Sequence, residues 1–293
     1  MRAGIEERTV WAPGRVNLIG EHIDYHGLAV LPMALGRRVR VTYRSRADRR
    51  IAAESAPYGR REFEWSEGLT PVAGGDWENY LRAAALAVGR KWGVLNGVDA
   101  TVVSDLPAAA GLSSSSALLV AFTLALLESN GRRASFDELM EILPDGEQFV
   151  GTRGGGMDHA AALASQAGCA TLVEFTPLQV RHIPIPGDWS FLVAHSLQTA
   201  EKSGAAREEY NLRRQAGDTA LERLGLRSYG AALDIAAQAA GRLDAGRSAT
   251  ASCTLPAKRG ACARRWKPWS APTATRSGDC CWNRTPACAT GCA

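Results

Sequence analysis

Between residues 106 and 119 the chain reads LPAAAGLSSSSALL, four hydroxyls in a row between a glycine and an apolar run. One serine is enough to cap a helix, so the surplus needs another use. A glycine-containing turn at a helix start aims several unbonded backbone N–H groups at one point, and the helix dipole adds about half a positive charge there. Such an end accepts anions. Serine hydroxyls can donate to phosphate oxygens or turn a lone pair to Mg2+, and Gly111 lets the backbone approach a ligand closely. These residues alone are compatible both with a polyphosphate site and with a capped helix that has a polar first turn. Neither of the commoner phosphate-loop patterns, G-x-x-x-x-G-K-[ST] or G-x-G-x-x-G, occurs in the chain.

Two further stretches carry reactive side chains. PGRVNLIGEHIDYHG, residues 13–27, sets Arg15, Glu21, His22, Asp24 and His26 in an otherwise apolar, glycine-punctuated segment. Desolvating so many polar groups is unfavourable unless they face a ligand. The planar guanidinium of arginine can bond two phosphate oxygens, while Glu, His and Asp suit sugar hydroxyls, which both donate and accept. A surface loop with local ion pairs is the alternative. GGGMD then places Asp158 just after three glycines at a second helix start. There it is either a reactive carboxylate or a first-turn acid stabilised by the dipole.

The elements that must position these residues follow from periodicity. Residues 8–46 are β-rich, with Pro and Gly between the segments. Helical spacing predicts a helix over 77–92, and VDATVVSD, residues 98–105, reads as a strand leading into the serine stretch. Residues 118–127 are apolar on every side, which predicts an internal helix. Further helices are expected over 136–149 and from about Met157; CATLVEF, VRHIPIP and WSFLVAHS read as three strands; and 205–224 and 229–243 read as helices. Strands and helices interleave without the regular period of a doubly wound sheet, so the expected class is α+β.

Composition narrows the setting. The longest apolar or neutral run, residues 117–127, is too short for a bilayer, and MRAGIEERTV lacks the apolar core of a signal peptide, so a cytoplasmic protein without a membrane partner is expected. The net charge of +4 comes from the tail: residues 251–293 hold seven Lys or Arg and one acid, leaving 27 basic and 29 acidic groups in residues 1–250. That body gives no footprint for nucleic acid. Cys169 stands alone in the body, as suits a reducing compartment, while six cysteines crowd the tail. Cys288 and Cys292 have C-x3-C spacing, but no histidine lies beyond His195, which argues against a metal site there.

Taken together, the three reactive stretches resemble the galactokinase branch of the GHMP small-molecule kinases, over roughly residues 8 to 225. GRVNLIGEHIDYHG resembles the galactokinase signature, LPAAAGLSSSSAL the nucleotide motif of the whole superfamily, and GTRGGGMDHAAALASQAG the segment of the catalytic aspartate; WENY and YNLRR match shorter features. The resemblance implies a two-lobed fold whose N-terminal lobe is like domain 2 of ribosomal protein S5. It implies ATP-dependent phosphorylation of the anomeric hydroxyl of galactose or a related hexose by a monomer. Asp158 matches the catalytic base and Arg15 the arginine that keeps it ionised. Glu21, His22, Asp24, Gly155 and Tyr210 match sugar contacts. Gly111, Leu112, Ser113, Ser114, Ser115 and Ser116 match the triphosphate loop, with Ser115 and Glu147 as Mg2+ ligands. The alternatives are another GHMP kinase acting on a small alcohol, or a sugar- and ATP-binding regulator without catalysis.

The chain also departs from that pattern. His26 stands where galactokinases place asparagine, RGGG replaces a proline-cysteine-glycine run, Glu147 lies one residue closer to Asp158 than usual, and residues 195–211 are longer and more polar. No two adjacent glycines follow Gly204, so the family's third, glycine-rich motif is missing. The expected division is an N-terminal lobe over 1–180, a partial C-terminal lobe over 181–250, and an aberrant, disordered tail over 251–293 whose Cys-, Trp- and Arg-rich composition suggests a frameshift.

Overall fold

The computed structural model describes residues 6–93, 95–152, 154–195 and 205–234. Its first strands follow from alternation. β1 (Arg8–Ile19) and β2 (Leu31–Ser45) pair antiparallel, with Val10 opposite Val41 and Ala12 opposite Val39. Val39, Val41 and Tyr43 are buried while Arg40 and Arg44 are exposed, the period-2 mark of a half-buried strand. β3 (Arg50–Ser55) and β4 (Gly59–Glu64) form a hairpin that the sequence reading did not assign, because RIAAES and GRREFE are short and lack a clear alternation. β5 (Val98–Ser104) pairs with β2 and, in parallel, with β3, which gives the order β1-β2-β5-β3-β4.

Helices α1 (Glu78–Trp92), α2 (Ser114–Ser129) and α3 (Phe136–Phe149) pack together, with α2 against β1 and β2, while Trp11 and Val103 of the sheet are exposed. The all-round apolar character of α2 is explained by this place: Leu119, Phe122, Ala125 and Leu126 have no exposed surface. Each large side chain so buried contributes roughly 1.5–3 kcal/mol. α3 opens with a capping box in which Ser135 and Glu138 bond each other's backbone N–H, and it continues through Pro144.

A second, smaller core joins Ile23, Val30, Met157, Val173 and Tyr229. It fastens α4 (Met157–Ala164) and the hairpin β6 (Cys169–Phe175)–β7 (Leu178–Pro184) to the segment after β1. α5 (Ala205–Leu224) and α6 (Tyr229–Asp234) close this side. The class is α+β, as the patterning predicts. One predicted strand is corrected: residues 189–195 of WSFLVAHS are not a strand. Among the described residues no strand pairs with them, and Trp189 and Leu192 are exposed at 61% and 95%; a strand needs a ladder for its backbone groups. The rest of the helix predicted over 229–243 and the whole tail over 251–293 lie outside the described residues. Among those residues no helix is long and apolar enough to cross a membrane.

Candidate active site

The serine loop is shaped by its contact with β1. A Cβ at Gly14 would collide with the Leu106 side chain and lie 2.7 Å from the Leu112 carbonyl oxygen, so the bare glycine lets the loop press close, and the Arg15 N–H donates to that oxygen at 3.1 Å. Positive φ at Ala109 (52°), Gly111 (74°) and Ser113 (57°) then turns the chain into α2. Ser113 occupies the N-cap position, yet its hydroxyl makes no cap bond and is buried without a partner among the described residues. The capping explanation of the serine run therefore fails at Ser113, and the amides of Ser114, Ser115 and Ser116, by position, have no carbonyl one turn back within the helix.

Arg15 joins this loop to the aspartate. Its Nε donates to Asp158 Oδ1 at 2.7 Å, its Nη2 lies 2.6 Å from the same oxygen, and its Nη1 donates to the Gly111 carbonyl at 2.8 Å. Asp158 sits in the first turn of α4. Ser116 Oγ donates to Asp158 Oδ2 at 3.3 Å and also bonds Glu147, which α3 presents almost fully buried. The serine hydroxyl on Glu147 is thus that of Ser116, not of Ser115, which stands partly exposed one position earlier. His159 Nε2 is 3.9 Å from Glu147 Oε1.

Asp24 and its neighbours form the opposite wall. Asp24 lies in a short 3-10 turn (Asp24–His26), and its Oδ2 accepts from the Met157 N–H at 3.3 Å, capping α4 from 133 residues away. Gly155 must be glycine, because a Cβ there would collide with the Tyr25 amide and the Asp24 carbonyl carbon. Tyr210 of α5 leans over this wall, with its ring centroid 5.2 Å from that of His22 and 5.5 Å from that of Tyr25. Arg15, Glu21, His22, Asp24, Glu147, Gly155, Asp158 and Tyr210 line one cavity of about 150 Å³. The loop residues Gly111, Leu112, Ser113, Ser114, Ser115 and Ser116 are not in that lining; Arg15, and Ser116 through its bonds to Glu147 and Asp158, join them to it. The sequence reading missed Thr152, Gly154, Gly156 and Met157, which also line it. Thr152 carried no signal of type or spacing, whereas Gly154 lay within the quoted glycine run and is needed because a Cβ would collide with Glu147 Oε2.

Burial sets the protonation behaviour of the wall. Desolvation, then the neighbouring Asp158 charge, pushes the Asp24 carboxyl up from 3.8 to about 6. Desolvation pulls the His26 imidazole down from 6.5 to about 4, with Arg214 adding to it and Asp218 opposing. The two act oppositely on stability. Asp24 holds a proton in the folded state that the unfolded chain has lost, so its stabilisation is present in acid and disappears as pH rises through about 6. His26 refuses a proton that the unfolded chain accepts, so its stabilisation is present above 6.5 and disappears as pH falls towards 4. Asp24→Asn should therefore leave a protein whose stability drops more steeply on acidification than wild type, by up to about 1.4 kcal/mol per pH unit. Urea denaturation between those limits checks this; equal slopes in the two proteins would refute it.

Comparison with known proteins finds two matching family models. Residues 79–166 match the family described as GHMP kinases N terminal domain, and residues 2–45 match the galactokinase galactose-binding signature. The chain is 35% identical over 216 residues to a galactokinase of Roseiflexus sp. (strain RS-1), covering 73% of this chain and 54% of that one. It is 34% identical over 217 residues to a galactokinase of Dictyostelium discoideum, covering 69% and 42%. It thus spans about half the length of the curated relatives it matches. In fold it is similar to Lactococcus lactis galactokinase complexed with galactose, with a TM-score of 0.72 at 22% identity over 89% of this chain and 69% of that one. It is also similar to Methanococcus jannaschii mevalonate kinase, with a TM-score of 0.53 at 16% identity over 76% and 74%.

Proposed function

The chain belongs to the galactokinase-like GHMP kinases, and from that premise we propose that it moves the γ-phosphoryl group of ATP to the anomeric hydroxyl of galactose or a related hexose. One observation carries the reading: Arg15 bonds Asp158 with one part of its guanidinium and the glycine–serine loop with another, so a sugar hydroxyl and a nucleotide's phosphates are brought to opposite sides of a single charge.

Each residue then has a task. Glu21, His22, Asp24, Gly155 and Tyr210 hold the sugar hydroxyls in the cavity. The uncapped start of α2, with residues 111–116, receives the phosphates. Asp158 accepts the proton of the anomeric hydroxyl as its oxygen bonds phosphorus and ADP departs, giving the sugar 1-phosphate. Arg15 stabilises the Asp158 carboxylate and the negative charge on the moving group. Alignment and charge neutralisation supply most of the catalysis in such a transfer. Mg2+ settles for one or two carboxylates and otherwise takes phosphate and water. Glu147 with the hydroxyl of Ser116 or Ser115 fits that demand, and the ion would neutralise phosphate charge. The N-terminal lobe extends to residue 180 and the C-terminal lobe begins at 181; the chain works as a cytoplasmic monomer.

Calorimetric titration with galactose and with an ATP analogue plus Mg2+, followed by phosphorus NMR of a reaction mixture, tests the proposal. Glu21→Gln and Asp24→Asn should each weaken hexose binding by about tenfold or more, since each removes a charged hydrogen-bond partner, while nucleotide affinity stays within about twofold. Unchanged hexose binding in both variants would redirect the reading to a small-alcohol kinase. Binding of both ligands by the wild type without product would make the protein a sensor.

A further inference from the structure

We propose that His26 is a positioning residue: with Gly217 and Tyr229 it forms the seat that docks α5 and so holds Tyr210 over the hexose cavity. The proposal rests on the reading of that cavity as a hexose site.

The seat is built from three elements. The His26 side chain, at the end of the short 3-10 turn, is 4% exposed. Its ring lies edge-on to Tyr25, 4.5 Å between centroids, and is tilted against Tyr229 of α6 at 4.6 Å. From α5, Gly217 meets it with bare backbone: a Cβ at that position would collide with the imidazole and come within 3.1 Å of the Tyr229 hydroxyl. That hydroxyl donates to the Gly217 carbonyl at 2.9 Å, which ties α6 to α5 at the point where α5 crosses the turn. Asp218 Oδ1, 3.7 Å from His26 Nδ1, adds a polar contact at the rim.

The seat transmits to the cavity along one face of α5. Tyr210, Arg214, Gly217 and Leu221 are spaced by four, three and four residues, so they share a stripe of the helix. Arg214 lies over the Tyr25 ring at 5.7 Å, and Tyr210 packs on Tyr25 and His22 one turn further towards the cavity. Burial keeps His26 neutral at pH 7, so the seat holds by ring packing and shape. A shift of the helix at Gly217 must move Tyr210, because a helix two turns long between them is stiff.

The test is Gly217→Ala, alone and with His26→Ala, read by calorimetry and by hydrogen exchange of the protein without ligand. Gly217→Ala should raise the galactose Kd at least about tenfold, leave the ATP-analogue Kd within about twofold, and speed exchange over residues 205–224 while β1 and β2 stay protected. Removing the imidazole in the double variant should recover part of the galactose affinity, as expected for two residues in direct contact. Tyr229→Phe, which adds no bulk, should show the same pattern more weakly if Gly217→Ala does not fold. Unchanged exchange over 205–224 overturns the seat, and faster exchange with an unchanged galactose Kd overturns its coupling to Tyr210. If the wild type binds no hexose, the coupling to a hexose site fails with the functional reading, and exchange over 205–224 still decides the seat itself.

Discussion

Asp158→Ala is expected to cut phosphoryl transfer at least about a thousandfold, within the range that removal of a positioned proton acceptor produces, while leaving ATP-analogue affinity within about threefold. The split follows from geometry. The carboxylate faces the cavity, whereas the loop residues 111–116 lie outside its lining, with Ser116 bonded to Asp158 and Gly111 joined to it through Arg15. When Asp158 is lost, Arg15 should keep its bond to the Gly111 carbonyl and so stay beside the loop proposed to take the phosphates. A readout independent of turnover comes from Asp24. The Asp158 charge is one of the causes that push its carboxyl up to about 6, so carbon-detected NMR of the variant should show Asp24 titrating lower. Turnover within about tenfold of wild type, about 1.4 kcal/mol of barrier, would remove Asp158 from the role of base.

Arg15→Met should be the most destabilising change in the site, by about 2–4 kcal/mol. Breaking a buried ion pair by deleting one partner costs about 3–5 kcal/mol, and the figure is lowered here because both side chains are 15% exposed. The loss comes from what remains: Asp158, Glu147 and Asp24 crowd one cavity, and the guanidinium facing them is gone. The Tm should fall by about 5–15 °C. Asp158→Asn in the same chain should restore most of the loss, because it neutralises the stranded carboxylate. A loss below about 1 kcal/mol, or no recovery in the double variant, would show that the pair does not hold the site together.

Much of the architecture was legible in the sequence because its signals are local. The β-rich character of 8–46 marked the region of β1 and β2, the all-round apolar run marked α2 as an internal helix, and glycine-punctuated polar clusters marked segments that line the cavity. Where the local signal was weak or misleading, the reading failed. RIAAES and GRREFE lack a clear alternation, yet they form a hairpin because β5 offers β3 a parallel partner. WSFLVAHS is an apolar run of strand length, yet its residues 189–195 are no strand, because no neighbour among the described residues completes a ladder.

The amino-acid sequence by itself determined which residue types would meet chemistry here, and which stretches would be strand, buried helix or glycine turn, since those depend on near neighbours. Only the tertiary structure decided the pairings: Arg15 with Asp158 across 143 positions, Asp24 capping α4 across 133, and the His26 ring on the bare backbone of Gly217. It also chose Ser116 over Ser115 as the hydroxyl on Glu147. Adjacent residues at a helix start point about 100° apart, so a one-residue difference that is invisible in a run of four serines becomes a different direction in space once the helix is packed against α3 and α4.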